Sequence, residues 1–311
     1  MNKENENTTK EEIKVKEEKY TKDIGGATLN EKGEIVRVPA TKDFMFKNLF
    51  GVNGREENLK GLLEAILKTK IENIQIQNPE LPRDYQEAKL GILDVRAKLQ
   101  DGTIAAIEMQ VRNQSNMGER ITFYASKLYI NTIESGEMYN DINKIIAIAI
   151  TNFNYFNRRE YHQIAHLKFE DCLDKNEIVK EIEDKIKNGE ESDKLTDRFE
   201  VHTIDLVLFK KMENPQGELA DWLNLIIGNE GEIEMALKRN EKIAKANKDN
   251  KALSATKEMQ DIYWLEKMAE YDYNTNINVA TKEGFENGKI EGEKSKQLEI
   301  AKKMKEKETD I

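Results

Sequence analysis

The stretch from Ile92 to Gln110 limits what this chain can fold into more than any other. Leu93, Val95, Ala97 and Leu99 alternate with Asp94, Arg96 and Lys98, and Ala105, Ile107 and Met109 alternate with Ala106, Glu108 and Gln110. Period-two alternation is the signature of a strand. The two apolar faces coincide only if the connecting loop holds an odd number of residues. A three-residue loop, Gln100-Asp101-Gly102, sets Leu99 opposite Thr103, Val95 opposite Ile107 and Asp94 opposite Glu108. Such loops need a left-handed residue at their last position, which Gly102 supplies. A two-residue loop would put Glu108 against Val95 and scramble both faces. Opposed residues lie about 5 Å apart at Cβ, where two bare carboxylates repel and a divalent cation would reverse the cost. The pattern therefore fits a hard-metal site. It fits equally a polar hairpin face that meets only water.

Composition narrows the class. At 311 residues, 38% hydrophobic and 35% charged, the chain suits one medium domain with extensions, or two domains. The single cysteine, Cys172, excludes an internal disulfide and suits a reducing compartment. The Lys/Glu-rich stretch from Met1 to Lys22 reads as no signal peptide, and Ile145 to Ile150, the longest clear apolar run, is strand-sized. A cytoplasmic protein without a membrane segment is expected. A net charge of −10 argues against a uniformly basic surface. Acids and bases balance across residues 35–157, however, and the acidic excess lies outside. Charge neither supports nor excludes DNA as a partner.

Residues 1–36 are polar and aperiodic and read as a disordered arm. Asp43 suits an N-cap for a helix carrying Phe44, Phe46, Leu49 and Phe50. Glu56 to Lys68 reads as a helix with a continuous stripe of Leu59, Leu62, Leu63, Ile66 and Leu67. A strand from Ile71 to Gln77, broken by the proline-bearing run 78–82, precedes the hairpin. Glu119 to Ser135 reads as a helix stopped by Gly136. Ile121, Ala125 and Leu128 point inward, and Arg120, Tyr124, Lys127 and Asn131 form a polar stripe beside them. Lys144 to Thr151, apolar on both faces, suits a central strand. Residues 158–228 read as mostly helical, with one strand from Phe199 to Leu206. From residue 229 the chain reads as a charged helical tail, with Gly284, Gly288 and Gly292 at four-residue spacing. Helix, three strands, helix, strand predicts an α/β fold with a mixed sheet between helices.

Asp94 with Glu108-Met109-Gln110 resembles a variant of the PD-(D/E)XK nuclease signature. The flanking segments resemble the recombination-promoting nuclease and transposase (Rpn) branch of that superfamily. They run from Thr41-Lys-Asp-Phe-Met-Phe-Lys-Asn-Leu-Phe-Gly51 and Leu62-Leu-Glu-Ala-Ile-Leu67 through Glu119-Arg120 with Tyr124, Gly136-Glu-Met-Tyr139 and Ile145 to Ile150. The resemblance implies a restriction-endonuclease-like core over residues 37–228, with residues 158–228 packed onto it and a helical tail over 229–311. It implies metal-dependent DNA endonuclease activity linked to recombination or mobile elements. By the same resemblance Asp94 and Glu108 hold Mg²⁺, or Mn²⁺, with a backbone carbonyl beside the glutamate. Gln110 stands where the superfamily more often has lysine, and a glutamine amide brings no positive charge. Glu57 occupies the place of a further acidic ligand, with Glu64 a second candidate, although helix dipoles favour acids in a first turn anyway. Arg120 suits a bidentate phosphate contact, with Tyr124 and Lys127 as weaker DNA contacts, or else is a surface arginine. The rival reading keeps the nuclease fold as a binding or assembly module, with Gln110 marking lost catalysis. In either case the C-terminal helix is a candidate surface for self-association.

Other chemistries have little support. His162 and His166 have helical i, i+4 spacing but no acid placed as in a zinc-protease helix, so a structural role is expected. Gly284-Phe-Glu-Asn-Gly-Lys289 lacks the spacing of a phosphate loop.

Overall fold

A computed structural model describes residues 21–308, except 24, 82–90, 93, 112–115, 157–158, 171–176 and 190–191. The chain opens with three short antiparallel strands, β1 (Thr21–Lys22), β2 (Thr28–Leu29) and β3 (Ile35–Arg37). The expectation of a disordered arm is therefore corrected from Thr21 onward, and residues 1–20 lie outside the described part. What holds this sheet is polar rather than apolar. Arg37, fully buried, donates to both carboxylate oxygens of Glu230 at 2.5 and 3.2 Å, to Asn247 at 2.6 Å and to Asn250 at 3.2 Å.

Helix α1 (Asp43–Phe50) buries Met45, Phe46, Leu49 and Phe50, and α2 (Glu56–Leu67) buries Leu59, Leu62, Leu63 and Ile66. Asp43 lies in the first turn of α1, and the N-cap is Lys42. Strand β4 (Ile74–Gln77) starts three residues later than the alternation suggested, because the Ile71 N–H donates to the Glu64 side chain at 2.8 Å. A small pair, β5 (Glu80–Leu81) with β6 (Gly91–Ile92), leads into β7 (Val95–Leu99) and β8 (Ile104–Gln110). Helix α3 (Met117–Ile130) ends earlier than Ser135, with the Asn131 N–H donating to the Lys127 and Tyr129 carbonyls. Then come β9 (Ile145–Thr151), β10 (His162–His166), α4 (Glu177–Lys187) and β11 (Phe199–Asp205). The strand at residues 162–166 was not anticipated.

The main sheet has the order β10-β11-β9-β8-β7-β4. Strand β9 is parallel to both β8 and β11, and the other pairings are antiparallel, so the sheet is mixed. The hairpin has the odd-loop register: Val95 pairs with Ile107, Arg96 with Ala106, Ala97 with Ala105 and Lys98 with Ile104. Gly102 has φ +86°. Helix α3 covers one face of the sheet, packing Ile121, Tyr124, Ala125 and Leu128 on Ile104, Ala106, Ile145, Ala147 and Ala149. At the other face, the end of α1 comes so close that a Cβ on Gly51 would sit 3.2 Å from Val95.

After β11, α5 (Leu206–Lys210), α6 (Glu218–Ile227), α7 (Glu230–Ala236) and α8 (Glu241–Ser254) complete the first compact unit, which ends at Thr256. The expected boundary at 228/229 is thus displaced, because α7 and α8 hold the buried partners of Arg37. The second unit, from Lys257, is one helix, α9 (Lys257–Glu308). Among the described residues no helix is long and apolar enough to cross a membrane.

Gly61 in α2 marks the closest approach in the helical layer. A Cβ there would lie 2.4 Å from the Trp222 ring, which is buried at 1% exposure. Alanine favours a helix by about 1 kcal/mol over glycine, but overpacking costs about 1–3 kcal/mol. Gly61→Ala is therefore expected to lower stability in urea melts, and Trp222→Phe in the same chain to recover part of the loss.

Candidate functional site

The hairpin register, continued one residue past β7, sets Asp94 opposite Glu108. Both are buried, at 8% and 3% exposure, so neither simply faces water. For Glu108 the cause is that β9 closes the edge of β8 while α3 packs over the face that carries Ala106 and Glu108. Asp94 is fixed by its Oδ2, which accepts the Met109 N–H at 2.6 Å. Its Oδ1 takes the Lys47 ammonium from α1 at 3.1 Å, and that ammonium also reaches Asp43 Oδ2 at 3.3 Å. Glu108 Oε1 is ion-paired with the Arg120 guanidinium from α3. Glu108 Oε2 is buried and has no hydrogen-bond partner.

Burial, then the charge of Asp94, pushes the Glu108 pKa up to about 7 against the pull of Arg120. Burial, then Asp43, raises that of Asp94, opposed by the Met109 N–H and Lys47. For Lys47, burial acts downward, but Asp94 and Asp43 outweigh it and hold the ammonium above its ordinary range.

The structure brings together only part of the residue set expected from sequence. Asp94, Glu108 and Arg120 meet, and Gln110 ends β8 two residues beyond Glu108, with its carbonyl accepting the Asn152 N–H at 2.9 Å. Glu57 does not join them. It is exposed and lines a cleft of about 960 Å³ with Lys60, Glu64 and Lys242. Glu64 is engaged by Lys242 at 2.6 Å and by the Ile71 N–H. The acid that acts on both Asp94 and Glu108 is Asp43, read from sequence only as a cap. Tyr124 and Lys127 are each 6% exposed, so the polar stripe of α3 turns inward beyond Arg120 and neither side chain is offered to a surface ligand. Arg120 lies 5.3 Å from the Tyr124 ring centroid and keeps 28% exposure. Lys47 was missed altogether. Its signal was the i, i+4 spacing from Asp43, which puts the two on one side of α1.

His162 and His166 lie on β10, not on a helix. His162 Nε2 is 2.9 Å from His202 Nδ1, and Glu200 accepts from His202 at 2.7 Å and approaches His166 at 3.3 Å. Among the described residues no group of three or more His, Cys, Asp or Glu side chains gathers closely enough to hold a metal ion. Two opposed carboxylates, one with an unpartnered buried oxygen, do suit a hard cation that retains water ligands.

A mixed sheet between helices, with one acid just before β7 and another on the adjacent β8, fits a nuclease-type α/β core. Residues 40–280 match the model of the PD-(D/E)XK nuclease family transposase family, and the chain belongs to that family. No curated protein and no solved structure matches it.

The raised Glu108 pKa makes metal-free stability depend on pH. The folded carboxyl holds its proton up to about pH 7, whereas the unfolded one releases it near pH 4.3. Stability therefore falls as pH rises through that window and levels off above it, by at most roughly 4 kcal/mol. Urea melts without divalent cations are expected to show this slope in the wild type and to lose it in Glu108→Gln.

Proposed function

We propose that this chain is a Mg²⁺-dependent endonuclease, also served by Mn²⁺, that hydrolyses DNA phosphodiesters in recombination or mobile-element movement in the cytoplasm. The observation that carries the reading is the opposed Asp94–Glu108 pair with the unpartnered Glu108 Oε2, in a family of nuclease-type transposases. Asp94 and Glu108 would hold the ion. When bound, the ion would acidify a water and offset the negative charge on the scissile phosphate.

The protein's own groups do the rest. The Met109 N–H fixes the Asp94 carboxylate, so one ligand is oriented before any cation arrives. Arg120, partly exposed, can turn from Glu108 to a phosphate and grip it with two parallel hydrogen bonds. The Gln110 amide can orient the attacking water but cannot act as a general acid. Glu57, Tyr124 and Lys127 have no part in this mechanism. Self-association through α9 belongs to the same reading, supported by the exposed Trp264, Leu265 and Met268 on that helix.

Asp94→Asn is a sharper test than alanine. It keeps an oxygen for the Met109 N–H, which left unpaired would cost about 1–3 kcal/mol, while removing the charge. Asp94→Asn and Glu108→Gln should fold normally and lose Mg²⁺-dependent digestion of plasmid DNA. Cleavage retained in both would remove the site from the reaction, and metal-independent DNA association without cleavage in the wild type would favour the binding-module reading.

Arg120→Ala tests the phosphate contact through the salt dependence of DNA binding. DNA affinity should fall about equally for all sequences, and the salt dependence of log K should lessen by roughly one phosphate contact. Affinity measured across a salt series checks this, and an unchanged slope would leave Arg120 as a partner of Glu108 alone.

A further inference from the structure

We infer that Lys47 is a catalytic residue of this site: the resident counter-ion of Asp94 in the metal-free protein and, once metal is bound, the cation that contacts the substrate phosphate. The inference rests on the nuclease reading and adds to it a group that comes from a different element. Strand β8 carries Glu108 and Gln110 but no cation, since glutamine is neutral. Lys98 lies four residues along the hairpin from Asp94, about 13 Å away. Arg120 serves the Glu108 side of the pair from α3, which leaves the Asp94 side without a cation of its own. Lys47 is the ammonium that meets Asp94, at 3.1 Å, and it arrives from α1.

Three features fit an exchange between carboxylate and substrate. The lysine side chain is 41% exposed, so it is not sealed into the core with Asp94. It has a second anchor in Asp43 at 3.3 Å, itself 51% exposed, which keeps the ammonium at the site after it leaves Asp94. A divalent ion on Asp94 would repel an ammonium sharing the same carboxylate, and the anion arriving from solvent would be a phosphate. Lysine suits this role as a compact charge on a flexible stem.

In the reaction, water oxygen forms a bond to phosphorus and the bond to the leaving oxygen breaks. One water proton passes to the leaving oxygen and the other is lost from the new phosphate monoester to solvent. Lys47 transfers no proton and offsets charge on the phosphate oxygens.

The test uses the full chain with Lys47→Met, which keeps the stem and removes the charge. Calorimetry with Mn²⁺ and no DNA should show affinity about tenfold tighter, because a competing cation is gone. With saturating Mn²⁺, kcat on a labelled duplex should fall by about 100-fold, as when other charge-stabilising groups are removed. Adding Gln110→Lys to that variant should recover at least about tenfold, since the charge returns from the strand. A purely structural lysine would lower affinity and turnover together. Unchanged or weaker Mn²⁺ binding in Lys47→Met overturns the inference. So does full cleavage by Lys47→Met under conditions where Asp94→Asn has none. A wild type that binds Mn²⁺ yet cleaves nothing overturns the nuclease reading instead, and the affinity comparison then still decides whether Lys47 competes with the ion.

Discussion

Two carboxylates set against each other inside a covered sheet are the constraint on which the arrangement of this molecule turns. Removing a charged group from water is costly unless it is paired, and a like charge directly opposite adds to the cost. Asp94 and Glu108 are relieved separately. Helix α1 brings Lys47 to the first, and α3, on the face that carries Ala106 and Glu108, brings Arg120 to the second. The two helices must therefore end at the same corner of the sheet, one from each side. The packing serves that placement: Gly51 lets the end of α1 come against Val95, and Ile121, Ala125 and Leu128 seat α3 on the small residues Ala106, Ala147 and Ala149.

Local periodicity made the centre of this arrangement legible. Alternation on both strands, with Gly102 closing an odd loop, was enough to place Asp94 against Glu108, because a one-residue slip would have reversed both faces. The apolar runs around Leu62 and Ile148 located α2 and β9 for the same reason. What alternation could not convey is what covers the polar face. Helix α3, supplied by residues 117–130, packs over that face, and β9, from residues 145–151, closes the edge of β8. A face that looked solvated in sequence became a closed electrostatic site.

The misplaced residues share a cause. Helical spacing shows which side chains share a stripe but not how the helix is rotated against its neighbours. Packing sets that rotation. In α3 it carries Tyr124 into the core beside Ala125 and leaves Arg120 at the rim. In α2 the contact between Gly61 and Trp222 fixes the helix, and Glu57 opens toward Lys60 and Lys242 rather than toward Asp94. The role of residues 21–37 was hidden for a different reason. Arg37 is held by Glu230, Asn247 and Asn250, and a buried polar network leaves no hydrophobic period to read.

On the nuclease reading, internal pairing has a thermodynamic consequence. A divalent ion entering between Asp94 and Glu108 gains two carboxylates but must displace Lys47 from one and Arg120 from the other. The ion alone therefore binds with less than the full attraction of the pair, since two cations lose their partners as it enters. A phosphate diester reaching the site restores that loss, because the released ammonium and guanidinium find a new anion within reach. Each ligand then improves the affinity of the other by the same factor, as linkage requires. Placing the counter-ions on helices flanking the sheet makes this coupling mechanical as well as electrostatic: Lys47 and Arg120 need only rotate their side chains, while the strands that carry the carboxylates stay paired.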